Sequence, residues 1–266
     1  MTAQNNDTPD YLGHRARLRE RFLVDDGLSM PEYELLELLL MYAIPRRDVK
    51  PLAKKLIKTF GDIGLVLNAS KQDLIEKGEL TPNVVALLKA VSACGMRATS
   101  SYFANGRRPI YDVWQTFIDF CRQKLGYKET EEFWVFFFNG RMEYLGGEQL
   151  GSGTLNKTFA PTQLIAKRAL SYNAPFVVLA HNHPSGSCRP SDADILTTEN
   201  IIESLDTVEV SVYDHIIVSP YEDFSFRATG IIEDKKMAVE KARRRKEKEL
   251  KLMKTKKLLL ENDEFI

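Results

Sequence analysis

The chain is poor in cysteine: three in 266 residues, at 94, 121 and 188, with no C-x-x-C pair. An odd and scattered set excludes a disulfide framework and a four-cysteine zinc ribbon, and reduced thiols in the cytoplasm are the expectation. Long hydrophobic runs are missing too. No apolar stretch approaches the roughly 18 residues a membrane helix needs, and no charged-then-apolar leader follows Met1, so neither a span nor a signal peptide is expected. There is no net charge, with 37 Lys+Arg against 37 Asp+Glu, which restricts polyanion binding to local clusters. Histidine is scarce, four in all, yet three of them lie between 181 and 215.

A hydrophobic content of 44 % and a length of 266 residues suit packed cores in more than one module. Residues 1–10 are polar and read as disordered. From 11 to 103 the pattern is helical throughout: a segment with Arg15, Arg17, Arg19 and Arg21, then a Leu-rich helix opened by Pro31, then a helix closed by Gly61, with further helices near 71–76 and 82–98. Residues 106–109, Gly-Arg-Arg-Pro, mark a boundary. Beyond it helices alternate with strands: a helix at 113–123, an aromatic strand at 132–138 read as buried core, a tight Asn139-Gly140 hairpin into a strand at 141–147, a helix at 161–172, and a strand at 176–180. A helix at 191–205 and strands at 208–213, 215–219 and 224–227 complete a compact α/β layer fold. The tail, 233–266, holds the charge asymmetry. Between Lys235 and Lys257 stand twelve Lys or Arg against three Glu, an excess of nine, on a solvated helix without a sustained heptad.

The chemistry concentrates in HNHPSGSCRPSDAD, residues 181–194. His181 and His183 stand at the end of the strand at 176–180, and their two-residue spacing turns both imidazoles to one side. After Pro190 a helix begins with Ser191 as N-cap, which folds Asp194 back toward the histidines. Two imidazoles and a carboxylate make three ligands for a divalent ion and leave a fourth tetrahedral position for water, the arrangement of hydrolytic zinc sites. Ser191-x-x-Asp194 also reads as a capping box, with no metal required. Cys188 offers another reading: as a fourth ligand its thiolate would close the site and leave a structural zinc in a binding module. Nucleobase deaminases, with H-x-E and P-C-x-x-C, are excluded by residue type. HNH nucleases are excluded too, because their signature residues are scattered and not contiguous.

The pattern H-x-H-x7-S-x2-D resembles the signature of the JAMM/MPN metal-dependent hydrolases, and HNHPSG followed by PS-x-x-D is similar to their bacterial RadC branch. Further RadC-like segments follow in order: EQLGSGTL from 148, the helix around 160–172, DHIIV from 214 and SFR from 225. The resemblance covers 107–232 and implies an α/β (α+β) JAMM/MPN-type metalloprotease domain, preceded in 11–103 by a small all-α domain with a helix-hairpin-helix-like unit. It implies that His181, His183 and Asp194 bind Zn2+, that Ser191 hydrogen-bonds the reacting oxygen, and that Glu148 takes a proton from the attacking water and passes it to the leaving amine. Glu143 is the rival base if 141–145 belongs to the same strand. The implied function is a zinc metallopeptidase acting on an amide or isopeptide bond of a peptide or protein substrate. The alternative is a DNA-associated or protein-binding module with a structural zinc. The family name carries a link to DNA repair, but the hairpin departs from a phosphate-binding Gly-x-Gly turn, because Leu80 replaces the second glycine and Glu79 brings an acid.

Overall fold

A computed structural model describes residues 13–104, 108–153 and 162–263. The segment expected to be disordered, 1–10, and Gly106 and Arg107 of the expected boundary lie outside them. The chain divides into two compact units, Met1–Ala98 and Thr99–Ile266.

The first unit is helical: α1 (His14–Asp25), α2 (Glu32–Ala43), α3 (Lys50–Phe60), α4 (Ile63–Asn68), α5 (Lys71–Glu76) and most of α6 (Pro82–Ala104). Local chemistry sets its ends. Gly61 closes α3 at φ 112°, and Asp62 and Ser70 cap α4 and α5 by accepting from the amides of Leu65 and Asp73. Arg15 points inward, donating to the carbonyls of Met41, Ile44 and Arg47, and so satisfies the C-terminal end of α2. In the turn before α6 the amides of Gly78 and Leu80 donate to Asp73 and Leu74 carbonyls, Leu80 is buried, and Glu79 pairs with Lys55.

The division falls inside α6, earlier than the boundary expected at 106–109, because Phe103 is buried among Phe117, Phe120 and Tyr144 of the second unit. That unit continues with a 3-10 turn (Ile110–Val113), α7 (Trp114–Cys121) and a π-helical turn (Arg122–Gly126), then β1 (Glu132–Phe138) and β2 (Tyr144–Ser152). After these come α8 (Thr162–Ser171), β3 (Phe176–Asn182), α9 (Asp192–Asp206), β4 (Ser211–Val218), β5 (Asp223–Ser225) and α10 (Ile231–Asp263). The five strands form one sheet in the order β2-β1-β3-β4-β5; β3 and β4 run parallel and the other neighbours antiparallel. β1 is covered on both faces, which explains its unbroken aromatic run. Phe133, Val135 and Phe137 join the core beneath α8 and α9, while Phe136 and Phe138 pack edge-on against Phe117 of α7. Each buried ring contributes about 2–3 kcal/mol.

Three local expectations are corrected. The hairpin is not a two-residue Asn-Gly turn: the Asn139 carboxamide oxygen accepts from the amides of Arg141 and Glu143, and Met142 takes the left-handed conformation at φ 59°. The strand that follows therefore starts at Tyr144 and runs through Glu148 to Ser152. The expected break at Asp214 is absent, and β4 is continuous. Its buried carboxylate accepts from the Ser225 hydroxyl and from the amides of His215 and Arg227, so a polar residue fits inside the strand. Finally, the basic tail does not begin free at 233. Ile232 is buried, Val239 packs on the core, and Lys235 pairs with Glu199 of α9 at 2.6 Å. No helix among the described residues is long and apolar enough to cross a membrane.

Candidate functional site

β3 delivers the first two residues of the site. Its register sets Phe133 of β1 opposite His181, and parallel pairing sets Ile217 of β4 on the other side, so His181 emerges at the end of the central strand, fully buried. Asn182, read in the sequence only as a spacer, turns to the opposite face. Its carboxamide accepts from the Glu132 amide and donates to the Lys128 and Thr130 carbonyls, tying the start of β1 to the end of β3. His183 follows, and its Nδ1 donates to the Ser187 carbonyl at 2.8 Å, which leaves the Nε2 lone pair available to a metal ion. A carbonyl accepts only, so this tautomer follows from the partner.

Asp194 arrives on the first turn of α9. The capping box read in the sequence is present: the Ser191 hydroxyl and amide both donate to Asp194 Oδ2, at 2.7 and 2.8 Å, and the Asp194 amide donates back to Ser191 Oγ at 3.2 Å. His181 Nε2 lies 3.0 Å from His183 Nε2 and 3.3 Å from Asp194 Oδ1, and His183 Nε2 lies 3.4 Å from Asp194 Oδ2. An ion bound tetrahedrally at roughly 2.0–2.1 Å from each ligand would set the ligand atoms about 3.3 Å apart. The triad therefore fits a metal ion, and it is the group of metal-ligand type that the described residues bring together. Burial alone would push the Asp194 carboxyl up, but the adjoining imidazoles and the Ser191 hydrogen bonds outweigh it and hold the group well below the carboxylate range. Hydrogen bonding to Asp194 raises the His183 pKa against the opposing effect of burial.

Beneath the triad lies a chain of polar groups in the core. His181 Nδ1 is 2.8 Å from His215 Nε2, His215 Nδ1 is 2.6 Å from Thr198 Oγ1, and that hydroxyl is 2.6 Å from the Asp194 carbonyl. His215 was singled out by its closeness in sequence but had no role, and Thr198 went unread; only its place one helical turn after Asp194 could have drawn attention. Cys188 does not join the triad. Its thiol is buried, donates to the Glu222 carbonyl at 3.2 Å, and is pushed up in pKa by burial. The fourth histidine, His14, bonds a buried Glu37 at 2.8 Å in the helical unit.

The two candidate bases separate along β2. Glu148 pairs in register with Val135, which pairs with Leu179, two residues before His181 on the same face of the sheet. Glu143 sits beyond the far end of the strand, bonded to Asn139 at 2.7 Å, five residues or roughly 16 Å further from the triad. Glu148 is held by two residues that sequence reasoning did not name. Arg168 Nε donates to one carboxylate oxygen at 2.8 Å and the Tyr172 hydroxyl donates to the other at 3.1 Å. Tyr172 can lie against β2 because residue 146 is glycine; a Cβ there would come within 2.6 Å of the ring.

Comparison with known proteins agrees with this architecture. Residues 111–231 match the family described as RadC-like JAB domain. A UPF0758 protein of Ruegeria pomeroyi is 37 % identical over 225 residues, covering 84 % of this chain and all of the relative. A UPF0758 protein of Rhodobacter capsulatus is 38 % identical over 215 residues, covering 81 % of this chain and again the whole relative.

Proposed function

We propose that this chain, which belongs to the RadC family of JAB-domain proteins, is a zinc-dependent hydrolase that cleaves an amide or isopeptide bond in a peptide or protein substrate. The observation that carries the reading is the meeting of His181 Nε2 and His183 Nε2, 3.0 Å apart, with the Asp194 carboxylate, whose Oδ1 lies 3.3 Å from the first and whose Oδ2 lies 3.4 Å from the second. With the His183 proton committed to Nδ1 by the Ser187 carbonyl, its Nε2 has a lone pair to offer, and a cation bound among these atoms offsets their mutual repulsion. The ion, when bound, supplies Lewis acidity, bringing a water to a pKa of about 7 and polarising a carbonyl.

The chain's own residues supply the rest. Glu148 accepts the proton of the attacking water and returns it to the leaving nitrogen, while Arg168 and Tyr172 fix which way its carboxylate faces. Ser191 steadies the tetrahedral oxyanion through its hydroxyl proton. That proton goes to Asp194 in the resting site, so Ser191 must exchange one acceptor for the other. A closed structural zinc would need the Cys188 thiolate, and its bond to the Glu222 carbonyl argues against that reading.

The test is metal content and hydrolysis measured together. Purified protein should carry about one zinc per chain and cleave members of a panel of peptide and isopeptide-linked probes. A chelator should abolish cleavage and added zinc restore it. Protein that takes up no divalent ion at all would overturn the proposal.

A further inference from the structure

The buried chain beneath the triad has a direction, and one atom sets it. The Asp194 backbone carbonyl has no proton, so at 2.6 Å the Thr198 hydroxyl must donate to it. That spends the only proton on Thr198 Oγ1. At 2.6 Å from the same oxygen, His215 Nδ1 must then be the donor. A neutral imidazole carries one N–H, so His215 Nε2 is left with a lone pair, and the neighbour at 2.8 Å, His181 Nδ1, must donate to it. His181 Nε2 ends the chain with its lone pair facing His183 and Asp194.

The reverse order fails at the first step, because it leaves two oxygen lone pairs 2.6 Å apart with no proton between them. Thr198, His181 and His215 are at most 1 % exposed, so no bulk water can supply or remove a proton along the way. Both rings are shut away from water, which disfavours a charged imidazole. The order starts and ends on one residue. Asp194 offers its carboxylate to the centre and its carbonyl to the relay.

We propose that Thr198 and His215 are positioning residues for the metal centre, which keep the proton of His181 on Nδ1 and so hold its Nε2 lone pair ready for the ion. The inference rests on the reading of the triad as a metal site. His183 needs no such relay, since the Ser187 carbonyl fixes its tautomer directly. A metal-ligating histidine ordinarily gives its second N–H straight to a carboxylate, carbonyl or water. Here two neutral side chains stand in between, and the fixed end lies two hydrogen bonds further away.

The test uses the full chain with 15N-labelled histidine and long-range 1H–15N spectra of the metal-free protein, which report the tautomer of each ring. His181 and His215 should both read as Nδ1–H. Thr198→Val keeps the shape and removes the acceptor, so His215 should turn over to Nε2–H, His181 should carry its proton on Nε2, and zinc affinity in a chelator competition should fall by about 10–100-fold. Thr198→Ser should restore both tautomers and affinity. A packing role for Thr198 predicts the opposite order, with valine harmless and serine worse. An Nε2–H signal for His181 in the unsubstituted protein would overturn the proposal even if Thr198→Val does not fold. Failure of the unsubstituted protein to bind zinc, with the tautomers as stated, would instead count against the metal reading.

Discussion

The Ser191 hydroxyl and the Asp194 carboxylate hold one another in a reciprocal cap, and the same carboxylate faces the two imidazoles. Helix cap and candidate metal ligand are thus one structure. Ser191→Ala should cost about 1 kcal/mol of stability, read by thermal denaturation, and should weaken zinc binding while leaving it measurable. Asp194→Ala or His183→Ala should abolish zinc binding, because two remaining ligands hold the ion poorly. Full zinc retention in either would exclude the assignment.

Glu148→Gln should keep the shape of the β2 site and the zinc content while reducing hydrolysis by at least about 100-fold, since an amide cannot shuttle a proton. Glu143→Gln should be active, because that residue lies at the hairpin. The reverse result in parallel assays would move the base to Glu143.

Cys188→Ser should leave zinc content and activity nearly unchanged. The serine hydroxyl can still donate to the Glu222 carbonyl, but burying it in an apolar core should cost about 1–2 kcal/mol in a denaturant titration. Loss of zinc in this variant would favour the closed structural site.

Truncation should show that the start of α10 supports the fold. Removing everything after Ile232 takes away Val239 and the Lys235–Glu199 pair and should cost about 1–2 kcal/mol. Any affinity for nucleic acid that depends on the basic helix should fall in step with the lysines removed, with a flatter salt dependence.

Burial pushes the Asp214 carboxyl up to about 6, above its ordinary 3.8. The folded chain therefore binds this proton more tightly than the unfolded chain, and stability rises as pH falls from about 6 toward 4. The rise is at most about 3 kcal/mol from this group. Asp214→Asn, which keeps an acceptor for the His215 and Arg227 amides, should flatten that window in denaturant melts taken at successive pH values.

Much of the site was legible because its residues are close in sequence and local geometry is strong. A strand end carrying H-x-H, a turn, and a helix start carrying S-x-x-D bring three residues of metal-ligand type together with little help from the rest of the fold. The dense run of aromatic residues likewise marked β1 as core. Legibility failed where a distant partner decides the outcome. Asp214 reads as a strand break until the Ser225 hydroxyl and Arg227 amide are seen to satisfy it. The Asn139 turn depends on a side chain that accepts two amides, which an Asn-Gly pair alone does not reveal.

By itself, then, the sequence determined the candidate ligand set, the helical and mixed character of the two units and the basic character of the last helix, since each follows from residues within a few turns of one another. Only the tertiary structure decided that Glu148 shares the face of His181 while Glu143 stays at the hairpin, that Cys188 turns away, and that Thr198 and His215 stand behind His181. Strand register and side-chain packing join residues 17 to 34 positions apart in these contacts, and no local periodicity encodes such meetings.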